Sequence, residues 1–135
     1  MRLAVVDTSA LLRVFVPDGP MPDGLEDLLD QATRGNAVVL IPDLALAEAT
    51  QVLLKKQSMG LLQADEADEI LAAMLDLPYE VMPCRSLLAD ALDLGRKFGV
   101  TVYDGLFLAL ARQRRAELFT ADAEMKRVWK KLQAK

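Results

Sequence analysis

A chain of 135 residues with 53% hydrophobic side chains can bury one substantial core, which predicts a single domain over residues 1–135. With no histidine and one cysteine, it excludes Ser-His-Asp and Cys-His catalysis, histidine-ligated zinc and internal disulfides, leaving carboxylates or a cofactor to carry any chemistry. The net charge of −4 is unlike that of a uniformly basic nucleic-acid binder, yet residues 1–95 hold 6 basic and 16 acidic side chains while residues 96–135 hold 10 basic and 4 acidic, so the C-terminal third can attract phosphate.

Leu3-Ala4-Val5-Val6 is a short apolar run that reads as a buried strand ending at Asp7. Asp7 also cuts the run short of the roughly 7–15 apolar residues of a secretory signal. No later run approaches the roughly 20 needed to span a bilayer, so a cytoplasmic location is expected. Thr8 or Ser9 is expected to cap a short helix through Leu11, Leu12 and Phe15. Residues 17–24 form a turn-rich loop, and a helix follows from Leu25 to about Arg34, closed by Gly35-Asn36. Ala37-Val38-Val39-Leu40-Ile41 is a β-branched strand stopped by Pro42. Asp43 starts a helix through Leu44, Ala47, Val52 and Leu53 that ends near Gly60. The helix after Asp65 sets Ile70, Leu71, Met74 and Leu75 on one face, and Pro78 ends it.

Tyr79-Glu80-Val81-Met82 reads as a third strand, after which Ser86 is expected to cap a helix through Leu88, Ala91, Leu92 and Leu94. The helix over residues 103 to about 112 is apolar nearly all round and is expected to be buried. Glu117-Leu118-Phe119-Thr120 is a fourth strand, and a basic helix begins near Asp122. Strands alternating with helices predict an α/β fold, a three-layer α/β/α arrangement around a short parallel sheet of four or five strands. In such sheets active sites lie beyond the carboxyl ends of the strands.

Four acids map to that rim. Asp7 follows the first strand and Asp122 comes two residues after the fourth, while Glu48 lies in the second turn of the helix after strand two. Asp104 stands at the start of the buried helix. Taken singly, Asp7, Asp104 and Asp122 are ordinary helix caps or dipole partners. Glu48 resists that explanation, because Leu44, Leu46, Ala47, Ala49, Val52 and Leu53 surround it and a carboxylate among apolar groups is costly unless paired, protonated or near a metal. Together, crowded carboxylates raise one another's pKa unless a cation compensates them, and hard oxygen ligands suit Mg²⁺ or Mn²⁺.

Val5-Val6-Asp7-Thr8-Ser9-Ala10-Leu11-Leu12, Pro42-Asp43-Leu44-Ala45-Leu46-Ala47-Glu48, Tyr103-Asp104-Gly105-Leu106-Phe107-Leu108-Ala109-Leu110-Ala111 and Leu118-Phe119-Thr120-Ala121-Asp122 resemble, in order and spacing, the PIN-domain nucleases. The likeness is to the VapC-like toxins of prokaryotic toxin–antitoxin pairs in particular. The resemblance implies that Asp7, Glu48, Asp104 and Asp122 are the catalytic, metal-binding acids, with Ser9 and Thr120 as hydroxyl donors behind them. It further implies a Mg²⁺- or Mn²⁺-dependent RNA endonuclease, often a homodimer held by an antitoxin. Gly105 stands where alanine is more usual, which is expected to loosen the helix start.

The expected chemistry is hydrolysis of an RNA phosphodiester by metal-activated water. Single-stranded or looped RNA is the expected substrate, with Arg112, Arg114, Arg115, Lys126 and Lys130 as weaker, collective phosphate contacts. The bland reading of those lysines is a solvated helix face. Leu61-Leu62 and residues 74–77 are expected to offer a dimer face. Two rivals remain at this level: a catalytically silent PIN-fold module that binds RNA or protein, and an aspartyl-phosphate receiver. The second fits poorly, because Pro83-Cys84 follows the third strand where a nucleophilic aspartate is needed.

Overall fold

The first strand, β1 (Arg2–Val6), runs through the middle of a parallel sheet. A computed structural model describes residues 1–134, in which β2 (Ala37–Pro42), β3 (Tyr79–Met82) and β4 (Glu117–Phe119) complete the order β3-β2-β1-β4. Val5 pairs with Leu40 on one side and Leu118 on the other, and Ile41 pairs with Val81. Ala4, Val5 and Val6 are all buried, as are Val39, Leu40 and Ile41. Successive strand residues point to opposite faces, so burial of consecutive residues requires cover on both sides. The outer strands β3 and β4 are more exposed, as sheet edges should be.

Helices supply that cover: α1 (Thr8–Phe15), α2 (Leu25–Thr33), α3 (Leu44–Ser58), α4 (Ala64–Leu75), α5 (Leu88–Phe98), α6 (Val102–Arg114) and α7 (Ala123–Gln133). The α6 helix is the central one, with every residue from Gly105 to Ala111 buried. It packs on β1 and β2 and lies along α5. Among the described residues, no helix is long and apolar enough to cross a membrane.

Several local expectations change. Pro42 belongs to β2 and pairs with Met82, since a strand's last residue can lack a ladder donor. Ser86 does not cap α5. It lies in a 3₁₀ turn over Cys84–Leu87, and its hydroxyl donates to the Pro83 carbonyl. Gln63, with Glu66 reaching back to its N–H, caps α4. On α4, Met74 is fully buried while Leu75 is 57% exposed, so Met74 belongs to the core and not to a dimer face.

Gly105 is the most consequential glycine. A Cβ there would lie 2.8 Å from the Ala91 carbonyl oxygen of α5. The expectation of a loosened helix is therefore reversed, because the missing side chain lets two helices touch backbone to backbone.

Candidate active site

With β2 on one side of β1 and β4 on the other, the chain leaves the neighbouring strands β1 and β4 by separate connections, and a crevice lies beyond their carboxyl ends. Asp7 stands at that point. Its N–H donates to the Phe119 carbonyl at 3.0 Å, extending the ladder by one residue. Its Oδ1 accepts from the Ser9 hydroxyl at 2.7 Å and the Ala10 N–H at 2.9 Å. Asp7 thus caps α1, where the sequence pointed to Thr8 or Ser9. Those two residues fall inside the first turn, and their hydroxyls serve acids instead. Thr8 Oγ1 donates to Glu48 Oε1 at 3.0 Å, joining α1 to α3.

Asp122 caps α7 through Oδ1, which accepts from the N–H groups of Glu124 (2.8 Å) and Met125 (3.2 Å). The loop before it is tied to Ser9. Ala121 N–H donates to Ser9 Oγ at 3.0 Å, the Ser9 and Thr120 hydroxyls lie 3.3 Å apart, and Asp122 N–H donates to Thr120 Oγ1 at 3.0 Å. Thr101 caps α6 by accepting from the Asp104 N–H. That leaves the Asp104 carboxylate with no capping duty. Capping and site-forming are therefore compatible roles, since the caps at Asp7 and Asp122 each run through Oδ1.

Asp7, Glu48, Asp104 and Asp122 line one cleft of about 280 Å³, together with Thr8, Ser9, Leu12, Val52 and Phe107. Asp7 is buried, Glu48 and Asp104 are half-buried, and Asp122 is exposed. Burial pushes the Asp7 carboxyl pKa up, opposed by the Thr120 and Ser9 hydroxyls and the Ala10 N–H and reinforced by Asp122. Burial also raises Glu48, with the Thr8 hydroxyl opposing and Asp104 and Asp7 adding to the rise. Asp104 is raised by burial and by the charges of Asp122 and Asp7, with Thr101 opposing. The acids sense one another's charge, the condition under which a cation binds best.

Among the described residues, no three such side chains already stand close enough to clasp a metal ion. The donor set nevertheless suits a hard divalent cation, being all carboxylate oxygen. Among the described residues, no hydrogen bond reaches Glu48 Oε2 or Asp122 Oδ2. These lone pairs are free for a ligand.

The basic residues do not join the acids. Arg112, Arg114 and Arg115 lie at the far end of α6, about 12 Å or more from Asp104 along the helix axis. Arg114 is engaged there with Glu80 (3.7 Å) and Met82 Sδ (3.5 Å). Arg112 and Arg115 border a different cleft, and Lys126 and Lys130 border the groove between β4 and α7. Thr8 was missed as a partner of Glu48. Its place beside Asp7 was the available signal, but the pairing spans 40 residues and needs the packing of α1 on α3.

A family model described as PIN domain matches residues 4–131. The chain is 33% identical over 123 residues to Ribonuclease VapC3 of Pyrobaculum aerophilum, covering 90% of each. The crystal structure of PAE2754 from Pyrobaculum aerophilum superposes with a TM-score of 0.71 at 19% identity, covering 99% of this chain and 97% of that one. The structure of VapBC2 from Rickettsia felis, bound to a DNA fragment from their promoter, gives 0.65 at 17% identity, covering 93% and 92%.

Proposed function

The chain belongs to the PIN-domain family, and from that premise we propose that it is a metal-dependent endoribonuclease, the toxin of a toxin–antitoxin pair. The observation that carries this reading is the convergence of Asp7, Glu48, Asp104 and Asp122 on one cleft beyond the carboxyl ends of β1 and β4. The name of the ribonuclease relative supports RNA as the substrate.

Asp7, Asp104 and Asp122 would hold a Mg²⁺ or Mn²⁺ ion, with Glu48 either a further ligand or the group that positions water. When bound, such an ion polarises the phosphodiester, lowers the pKa of the attacking water and stabilises the leaving oxygen. The protein's own part is preparation. Ser9 and Ala10 hold Asp7 Oδ1 in one orientation before substrate arrives. Thr8 fixes one oxygen of Glu48 and leaves Oε2 to accept a proton from water, a task helped by the upward shift that burial and its acidic neighbours give it. Leu12, Val52 and Phe107 form an apolar wall that lowers the polarity on one side of the cleft and strengthens the charge interactions inside.

Single-stranded RNA incubated with the protein and Mg²⁺ or Mn²⁺ should be cut internally, and EDTA should stop the reaction. Asp104→Asn should reduce the rate by about 100-fold or more. Cleavage that ignores EDTA, or an Asp104→Asn protein as fast as wild type, overturns the reading. An antitoxin that covers the cleft and a homodimer belong to the same proposal. Exposed Leu61 and Leu75 are suited to the dimer contact, and light scattering that finds only monomer at working concentration counts against it.

A further inference from the structure

The acidic cleft is not the largest on the molecule. A groove of about 570 Å³ runs between β4 and α7, bordered by Leu118, Thr120, Lys126, Trp129 and Lys130. It starts where the acidic cleft stops. Thr120 and Ala123 border the groove while Asp122, between them, lines the acidic cleft. On the other side of Trp129 a second cleft of about 260 Å³ carries Arg112 and Arg115.

The chemistry of the groove is one-sided. Lys126, Trp129, Lys130 and Gln133 recur at helical spacing and share one face of α7. The helix meets the core through Met125 and Val128 instead, so half-buried Trp129 stands at the border of the core with part of its ring in the groove. The carboxylates nearby are already matched. Glu117, which also borders the groove, is held by Arg2 at 2.6 Å, and Glu124 is paired with Arg127. Among the described residues, Lys126, Lys130, Arg112 and Arg115 enter no ion pair. A groove with unmatched cations and one aromatic plane, beside a site for phosphodiester hydrolysis, matches a strand with a negative backbone and accessible bases.

We propose that this groove is the track along which single-stranded RNA leaves the acidic cleft, with Trp129 as the platform on which a base stacks and Lys126 and Lys130 holding the flanking phosphates. Arg112 and Arg115 extend the positive surface beyond the ring. The inference rests on the ribonuclease reading of the acidic cleft, but its test is separate. Trp129 is the chain's one tryptophan, so its fluorescence reports on this groove and the adjoining Arg112–Arg115 cleft and not on the acidic cleft.

A short single-stranded RNA of mixed sequence, titrated into the Asp104→Asn protein, should quench Trp129 fluorescence to saturation. Lys126→Ala and Lys130→Ala should each lower the slope of log affinity against log salt by about 0.7. Read by the anisotropy of end-labelled RNA, since these variants lack the fluorophore, Trp129→Ala should weaken binding about 10-fold or more, with Trp129→Phe restoring most of it. In the cleavage-competent chain, Trp129→Ala should raise KM and leave kcat unchanged. Should the alanine variant fold poorly, Trp129→Phe and the lysine variants carry the test. RNA that binds or is cleaved without changing the fluorescence or the salt slope overturns the track. So does quenching by an extended peptide but not by RNA, which would make the β4 edge a site of strand addition. RNA that quenches Trp129 and is never cleaved by the wild-type chain supports the track and sinks the nuclease reading instead.

Discussion

The Ser9 hydroxyl links three groups at the back of the cleft. It donates to Asp7, accepts from Ala121 N–H and lies against Thr120, so one small side chain sets the spacing between the ends of β1 and β4. Groups that orient metal ligands commonly matter by 10–100-fold. Ser9→Ala should therefore lower Mn²⁺ affinity by roughly that factor with little loss of fold, as isothermal titration would register. Thr8 acts on the proton side. Its hydrogen bond holds the Glu48 pKa down against burial, so Thr8→Val should raise that pKa and move the acidic limb of the pH–rate profile to higher pH. An unmoved limb would separate Glu48 from the proton transfer. The four acids were legible in the sequence because each sits beside a local signal, a strand end or a helix start. The Thr8–Glu48 bond was not, since hydroxyls at helix starts serve most often as caps, and only the packing of α1 against α3 shows the exchange of duties with Asp7.

At the scale of elements, the position of Asp104 depends on how closely α5 and α6 approach. Gly105 follows Asp104 directly and meets Ala91 where no side chain fits. Gly105→Ala improves intrinsic helix propensity by roughly 1 kcal/mol, but overpacking typically costs about 1–3 kcal/mol. The contact is with backbone, an oxygen at 2.8 Å, which cannot rotate away as a side-chain tip would. Overpacking should win. The variant should melt earlier than wild type and lose cleavage through displacement of Asp104, and a melting temperature equal to or above wild type would refute the close-packing account. Alternating strand and helix periods made the element order readable, because apolar spacing is local. The helix caps were less readable. Ser86 has the residue type of a cap, yet the chain turns through a 3₁₀ segment there and spends the hydroxyl on Pro83. The distance of Arg114 from the acids follows from helical rise along α6, a relation that composition and charge alone conceal.

Over the whole molecule, the fold gathers negative charge at one edge of the sheet and gives up stability in doing so. Asp7, Glu48 and Asp104 all carry raised pKa values, with burial the first cause in each. The folded state then binds protons more tightly than the unfolded chain between the ordinary carboxyl range and the raised values. In that window the unfolding free energy falls as pH rises, because fewer protons are bound by the unfolded state than by the native one. These acids therefore destabilise the metal-free protein at neutral pH, and the penalty shrinks on mild acidification. A divalent cation that binds only the folded cleft should remove the same penalty. At a concentration about 100 times its dissociation constant it adds about 2.7 kcal/mol, which for a chain of this size moves the melting temperature on the order of 10 °C. Thermal melts in EDTA and in Mn²⁺, each across a pH series, separate the contributions. Metal-free protein should gain stability as pH falls from neutrality toward the raised carboxyl range, Mn²⁺ should flatten that dependence, and Asp104→Asn should melt above wild type in EDTA while losing most of the response to Mn²⁺. If Mn²⁺ raises wild type and Asp104→Asn equally, the ion binds elsewhere on an acidic surface. In that case the cleft's repulsion would have another purpose than holding a metal.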